Sequence, residues 1–189
     1  MIDYLIRLDI RIFELLNSIN SPFFDVIMYY VSNRFIWIPL YLFFIIFFIV
    51  KYKTRSIYII LTIILLIIFT DQLSVHLFKN IFERLRPCHN PMLADKIHLV
   101  NNYCGGKYGF VSSHAANSFA FAIITSLFLK NRIVFWILLI WASIISYSRI
   151  YLGLHFPLDV SVGALFGIFS AILFYKICNL IIRRNNKDN

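Results

Sequence analysis

The chain has 189 residues, of which 60% are hydrophobic, 18% are aromatic and only 14% are charged. A soluble domain of this size could not bury so much apolar surface, so the composition excludes an ordinary soluble globular protein. The formal net charge of +9 at pH 7 does not indicate nucleic-acid binding, because the positive residues are distributed as membrane topology requires. We therefore expect a membrane protein that does not bind nucleic acid.

Residues 1–33 are predicted to form an amphipathic and interfacial N-terminal segment. Charged residues recur at helical spacing near its start, with apolar residues on the other side: Asp3, Arg7, Arg11 and Glu14. The segment is a poor secretory signal because these charges interrupt its apolar stretch. We predict a helix that lies on the membrane, and an ordinary packing helix of a bundle is nearly as well supported.

Five apolar runs of membrane-spanning length follow: residues 34–50, 56–78, 114–130, 132–150 and 157–182. The preceding residues 22–33 are short and contain Asp25, so we interpret them as an interfacial lead-in, although they would form a sixth crossing if they spanned independently. The predicted fold class is therefore all-α, a polytopic membrane helical bundle of about five to six transmembrane helices with an amphipathic N-terminal helix. Residues 34–182 would form the transmembrane domain and residues 183–189 a polar tail.

The positive residues predict the orientation of the bundle. They follow the first crossing, follow the third crossing and close the chain: Lys51, Lys53, Arg55, Lys130, Arg132, Lys176, Arg183, Arg184 and Lys187. With five crossings these groups share one side, and the bias of Lys and Arg toward cytoplasmic loops identifies that side as the cytoplasm. We predict a multi-pass protein of the plasma (inner) membrane with a cytoplasmic C-terminus. The segment 79–113 and the turn 151–156 would then lie on the non-cytoplasmic side.

The non-cytoplasmic segment contains Cys88 and Cys104, whereas Cys178 lies in the last helix. A disulfide between the first two is plausible in an oxidising compartment, where closing such a loop stabilises by about 3 kcal/mol in the chain-entropy model. Two free thiols are the alternative.

Polar residues at the end of the second crossing fall at spacings of four, three, four and three: Gln72, His76, Lys79, Glu83 and Arg86. This spacing predicts one helical stripe that faces the bundle interior and ends near Pro87. Lys79 and Arg86 would then reach toward one anion. Asp71, His76 and Glu83 are expected to balance and orient this cationic cluster.

The third crossing begins with Ser112, Ser113 and His114. Serine favours helix N-caps, and a helix N-terminus suits a phosphate oxygen because it offers unpaired N–H groups and a positive dipole end. His114 would lie beside that phosphate. Taken alone the pattern is weak, since the serines could be plain caps and the histidine a packed residue.

Residues 148–159 hold the most informative pattern. His155 and Asp159 are four residues apart, so if Pro157 lies in the first helical turn, Asp159 can hydrogen-bond one imidazole nitrogen. That bond would leave the other nitrogen free as a nucleophile. Arg149 adds a guanidinium that can hold phosphate.

Together these patterns resemble the type 2 phosphatidic acid phosphatase superfamily, which comprises membrane lipid phosphatases and the soluble vanadium haloperoxidases. The three family motifs occur in order between residues 79 and 159, as Lys79-x6-Arg86-Pro87, Ser112-Ser113-His114 and Ser148-Arg149-x5-His155-x3-Asp159. The second motif usually reads Pro-Ser-Gly-His. Here Val111 replaces the proline and Ser113 replaces the glycine.

The resemblance implies a lipid phosphatase with assigned residue roles. His155 would be the nucleophile that forms a phosphohistidine, Asp159 would orient it, and His114 would act as general acid and then activate water. The phosphoryl oxygens would be bound by five residues: Lys79, Arg86, Arg149, Ser112 and Ser113. The resemblance implies no metal and no cofactor.

A metal site would have to use outer-segment side chains, namely Cys88, His89, His98 and Cys104. Their spacing is not typical of zinc sites. The positive charges of Lys79, Arg86 and Arg149 would also repel a metal ion, so we expect no metal site.

The expected substrate is a membrane lipid that enters from the outer leaflet, with water as second substrate. Isoprenoid diphosphates such as undecaprenyl diphosphate, phosphatidic acid, phosphatidylglycerol phosphate and lipid A all fit the motifs, which contact only the phosphoryl group. The oligomeric state is not indicated. The alternative function is a non-hydrolytic lipid-phosphate transporter or binding protein, because intramembrane charges also line transport paths. Haloperoxidase activity is poorly supported because those enzymes are soluble.

Overall fold

The computed structural model describes residues 2–93 and 96–185, and within them it is helical without β-strands. The all-α prediction is therefore confirmed. The last four residues of the predicted cytoplasmic tail, 186–189, lie outside the described residues. The division into segments 1–33, 34–182 and 183–189 stays a prediction.

Eight α-helices are described: α1 Ile2–Ser18, α2 Pro22–Ser32, α3 Ile38–Tyr52, α4 Ser56–Gln72, α5 Asn80–Phe82, α6 Ser113–Leu129, α7 Arg132–Tyr151 and α8 Pro157–Asn185. A π-helical turn, Leu73–Lys79, joins α4 to the single turn of α5. Single turns of 3-10 helix precede α3 and connect it to α4. The predicted apolar runs agree with α3, α4, α6, α7 and α8 to within a few residues at most ends.

Among the described residues, three helical stretches are long and apolar enough to cross a membrane, namely Arg34–Phe82, Arg132–Tyr151 and Pro157–Arg184. The first contains both α3 and α4, and the 17 residues of α6 form a shorter apolar helix. The count of five to six crossings therefore stays a prediction. Large apolar side chains point outward along these helices, including Trp136 at 59% and Phe169 at 68% exposure. Such a surface suits lipid rather than water.

Helix α6 lies at the centre of the bundle and packs most extensively against α7 and α8. A Cβ atom at Gly163 of α8 would lie 2.6 Å from the carbonyl oxygen of Ser112, and one at Gly167 would overlap the carbonyl oxygen of Ala116. The two glycines thus allow α8 to approach the backbone of α6. The amide of Ser112 donates to the carbonyl oxygen of Asp159 at 3.0 Å, so this packing joins the second and third motifs.

Helices α1 and α2 lie against the turn between α7 and α8. Phe13 of α1 contacts Phe156 at 5.3 Å between ring centroids, and the side chain of Asn17 donates to the carbonyl oxygen of Tyr151 at 2.8 Å. The Tyr151 hydroxyl donates to the carboxylate of Asp25 in α2 at 2.6 Å. We call this end of the bundle, where α7 ends and α6 and α8 begin, the site end.

Candidate active site

A cavity of ≈ 660 Å³ lies at the site end. Six of the eight predicted catalytic and phosphate-binding residues line it: Lys79, Arg86, Ser113, His114, Arg149 and His155. They come from the π-helical turn, the outer segment, the first turn of α6, the last turn of α7 and the turn before α8. Residues far apart in sequence thus share one wall. Ser112 and Asp159 are fully buried outside this lining.

His155 lies in the turn between α7 and α8 and is 1% exposed. Its pKa is well below the ordinary 6.5, because burial disfavours the imidazolium and because Arg86, Arg149 and Lys79 repel it. The ring is therefore neutral near pH 7, and one of its nitrogens carries a free lone pair. A neutral imidazole is the form that can attack phosphorus.

Three cations surround the imidazole. Arg86 is anchored by its Nε, which donates to the carbonyl oxygen of Tyr108 at 3.2 Å. The side chain of Arg149 donates to the hydroxyl of Ser32 at the end of α2, and its Nε has no partner within the described residues. Lys79 donates to the hydroxyl of Ser113 at 3.3 Å. Because all three cations line the cavity, an anion is the ligand that this part of the cavity favours.

The start of α6 contributes two cavity residues and one cap. The hydroxyl of Ser112 accepts from the amide of Ala115 at 3.5 Å, which is the N-cap geometry. Ser113 and His114 occupy the first turn and line the cavity. A phosphate at this position would meet the unpaired N–H groups of the helix N-terminus. Direct binding of phosphate by the Ser112 hydroxyl stays a prediction.

The carboxylate of Asp159 is held differently from the predicted arrangement. Its Oδ2 lies 3.6 Å from Nδ1 of His155, which is too long for a hydrogen bond, and this Nδ1 has no partner among the described residues. Instead, Oδ2 accepts from the amide of Phe156 at 3.0 Å. Oδ1 accepts from Arg84 at 2.6 Å. The carboxylate faces the imidazole but is bound by its own turn and by Arg84.

Arg84 is a site residue that sequence reasoning missed. Its guanidinium bonds Asp159 of α8 and also Asp9 of α1, the latter at 2.5 Å. It lies over the ring of Phe156 at 4.4 Å from the centroid, a distance typical of cation–π contacts. The only signal in the sequence is a second arginine inside the first motif, two residues before Arg86.

The predicted polar stripe along the second crossing is wrong. The chain forms a π-helical turn at Leu73–Lys79. The helix then ends at Phe82, and the next residue, Glu83, has a left-handed φ of 42°. Because a π-helical turn holds more residues than an α-helical turn, the register shifts. His76 and Glu83 are exposed outside the cavity. Of the expected balancing groups, Asp71 lines the cavity.

Cys88 and Cys104 form a disulfide across the outer segment, with their Cα atoms 5.8 Å apart. The disulfide therefore links the chain just after Arg86 to the chain just before Gly105. A Cβ atom at Gly105 would lie 3.2 Å from Nη1 of Arg86, so the glycine lies close to this guanidinium. Ligand atoms of Cys88, His89 and Cys104 lie within 4.8 Å of one another. Because the two sulfur atoms are bonded to each other, they are not thiolate ligands in this state.

Residues 57–183 match the PAP2 superfamily, and the chain belongs to this family. It is 37% identical over 193 residues to the lipid A 4′-phosphatase of Bacteroides thetaiotaomicron, covering 100% of this chain and 84% of that protein. It is 32% identical over 176 residues to the lipid A 4′-phosphatase of Porphyromonas gingivalis, covering 93% and 75%. The crystal structure of Aquifex aeolicus LpxE matches with a TM-score of 0.67 at 29% identity, covering 89% of this chain and 95% of that one.

The protein is thus a membrane lipid phosphatase, a hydrolase embedded in the bilayer. The resemblance inferred from the three motifs is confirmed. The prediction of an enzyme, rather than a non-hydrolytic transporter or binding protein, is confirmed as well. The roles of the individual site residues stay predictions.

Proposed function

We propose that the enzyme removes a phosphate from an acylated amino sugar of the lipid A type, through a phosphohistidine on His155. The observation that carries this proposal is the cavity itself, which continues from the cationic wall past a polar zone into an apolar groove. The two lipid A 4′-phosphatases among its relatives support the same substrate class.

The polar zone lies one helical turn below His114. Asn117 donates to Oδ1 of Asp71 at 3.2 Å, and its own side-chain oxygen accepts from Thr70 at 2.6 Å. Gln72 lines the same zone and makes no side-chain hydrogen bond with the described residues. The second carboxylate oxygen of Asp71 and the amide of Gln72 are thus suited to hydroxyl or amide groups next to the phosphate. A sugar carries such groups, whereas an isoprenoid chain does not.

The apolar groove supports a substrate with acyl chains. Below the polar zone the cavity is lined by side chains of α3, α4 and α6, including Phe44, Phe48, Ile60, Ile63 and Phe121. Ile45 of α3 and Ile64 and Ile68 of α4 line the cavity and are also 36%, 47% and 53% exposed. The groove therefore opens sideways between α3 and α4. This opening supports access from the outer leaflet.

The proposed reaction has two displacements. Nδ1 of His155 is directed at Asp159, so Nε2 attacks phosphorus and the bond from phosphorus to the lipid oxygen breaks. His114 in its imidazolium form protonates the departing oxygen and becomes neutral. In the second step His114 takes a proton from water, the water oxygen bonds to phosphorus and the phosphorus–nitrogen bond breaks, which releases inorganic phosphate. Lys79, Arg86 and Arg149 stabilise the charge on the phosphoryl oxygens, and no step uses a metal or cofactor.

The test is phosphate release by detergent-purified protein in EDTA, with wild type and His155→Ala compared on lipid A, undecaprenyl diphosphate, phosphatidic acid and phosphatidylglycerol phosphate. We expect release from lipid A that vanishes in the variant. Preferential release from another lipid would overturn the substrate assignment, and undiminished release by the variant would overturn the mechanism.

A second comparison isolates the polar zone. Gln72→Leu and Asp71→Asn should lower kcat/KM for lipid A by about tenfold, the effect of one or two lost polar contacts, while changing it little for undecaprenyl diphosphate. Ile64→Leu, in the apolar groove, is the matched control. An equal loss on both substrates would mean that these residues maintain the fold or the charge of Lys79 instead.

A further inference from the structure

Arg84 links three elements at the site end, namely the segment after α5, the start of α8, and α1. It follows α5, its Nη1 bonds Oδ1 of Asp159 at 2.6 Å, and its Nη2 bonds Oδ2 of Asp9 at 2.5 Å. Asp9 also accepts from the amide of Leu158 at 2.8 Å. This amide is one of the N–H groups at the start of α8 that have no partner within the helix. The two carboxylates therefore hold the Nη atoms of the guanidinium, and the ring of Phe156 packs against its face.

Asp159 depends on this contact. Its side chain is 0% exposed, and a buried carboxylate is costly unless it is paired and hydrogen-bonded. Within the described residues, Arg84 is the one side chain that donates a hydrogen bond to it, while the amide of Phe156 supplies the other bond. Removing the guanidinium would leave the carboxylate without a cation at bonding distance. The Asp159 carboxylate would then take up a proton or turn away from His155.

We propose that Arg84 is a positioning residue for the nucleophile, acting through Asp159, and that Asp9 on α1 holds Arg84 in place. The proposal rests on the proposed function, in which His155 attacks phosphorus. As the phosphorus–nitrogen bond forms, the imidazole gains positive charge, and its Nδ1–H can donate to Asp159 once the 3.6 Å separation closes by about 0.6 Å. The ion pair with Arg84 keeps that carboxylate charged and aimed while this happens.

The experiment compares Arg84→Met, Arg84→Lys and Asp9→Asn with wild type, using steady-state kinetics on the preferred lipid across pH. The control is Lys96→Met. Lys96 pairs with Glu14 of α1 at 3.9 Å, but its side chain is 69% exposed, so it joins the same two parts of the chain without touching the site.

We expect Arg84→Met to lower kcat by about 10- to 100-fold, the usual effect of losing a supporting residue, with KM changed less than threefold. The acid limb of kcat/KM should move to higher pH, because Asp159 becomes harder to ionise without its cation. Arg84→Lys keeps the charge but reaches one carboxylate, so its loss should be smaller. Asp9→Asn should fall between Arg84→Lys and wild type, and Lys96→Met should match wild type.

Folding and chemistry are separated by chemical rescue. Guanidinium at millimolar concentration should restore part of the kcat of Arg84→Ala and leave Lys96→Met unaffected. A purely structural role predicts a smaller active fraction with an unchanged acid limb and no rescue, and that result would overturn the proposal. If His155→Ala stays active, the proposed function itself fails. If His155→Ala is inactive while Arg84→Met behaves as wild type, only the positioning role fails.

Discussion

The neutral state of His155 has consequences for both activity and stability. The lowered pKa of His155 means that the folded protein does not take up a proton here near pH 6.5, whereas the unfolded chain does. This contribution to stability is therefore fully present above about pH 6.5 and is lost as the pH falls below it. The neutral imidazole of His155, the proposed nucleophile, should stay available below this pH.

We predict that the melting temperature of the wild type drops between pH 7.5 and pH 5.5 more than that of His155→Gln, which has no proton to gain. Because His155 should stay neutral over the same interval, wild-type activity should not fall through protonation of this residue. Thermal unfolding in detergent at several pH values measures this difference. Equal pH dependence of the two proteins would contradict it.

The proposed acid role of His114 makes a prediction about leaving groups. His114→Ala should lower kcat by about 10²- to 10⁴-fold on a lipid whose alkoxide leaves poorly. The loss should be much smaller on an aryl phosphate, whose phenolate leaves without protonation. His155→Ala is the control, since loss of a nucleophile is not relieved by a better leaving group. Equal losses of His114→Ala on both substrates would assign His114 to phosphate binding instead.

Helix boundaries were predictable where local chemistry decides them. Asn131 caps α7 by accepting from the amide of Ile133 at 2.8 Å, Ser112 caps α6, and Pro157 opens α8. The π-helical turn at Leu73–Lys79 was not predictable, because the α-helical period assumed for the stripe is the rule and its interruption depends on tertiary packing.

The sequence predicted that the candidate site residues come together, but it did not predict their supporting contacts. Three motifs placed His155, His114 and the cations on one cavity wall, as the structure does. The link from Arg84 to Asp9 joins residues 75 positions apart, and no spacing rule connects a charge on α1 to one inside a motif. The same limit applies to Asp159, whose spacing from His155 allowed a hydrogen bond that Arg84 and Phe156 replace.

The disulfide of the outer segment should matter for both stability and activity. Closing a loop of this length, with a sequence separation of 16, stabilises by about 3 kcal/mol in the chain-entropy model. We expect Cys88→Ser to lower the melting temperature and to weaken phosphate binding through Arg86. Cys178→Ser, which removes a buried free thiol of α8, should not change sensitivity to reducing agents. A wild type equally active and stable after complete reduction would contradict this prediction.

The positive turns lie at the end of the bundle opposite the candidate site residues. The turn Lys53–Arg55 and the end of α6 are neighbours, because the Tyr52 hydroxyl donates to the carbonyl oxygen of Phe128 at 2.6 Å. Since α6 begins at the site end, this pair marks the opposite end of the bundle. The positive-inside bias then predicts that the candidate site residues face away from the cytoplasm.

Reporter fusions measure that orientation. Green fluorescent protein fused after the last residue should fluoresce, and alkaline phosphatase at the same position should be inactive. Insertion of the same reporters at the exposed Asn102 should give the reverse pattern. The opposite outcome at both positions would place the active site in the cytoplasm.

The sideways opening between α3 and α4 also changes what concentration means for this enzyme. A substrate that arrives through the bilayer is encountered in two dimensions, so the quantity that saturates the site is its mole fraction among the lipids or detergent molecules around the protein. Adding inert detergent at a fixed molar amount of substrate should therefore slow turnover by dilution of the surface. The same addition should leave the rate on a freely soluble aryl phosphate almost unchanged.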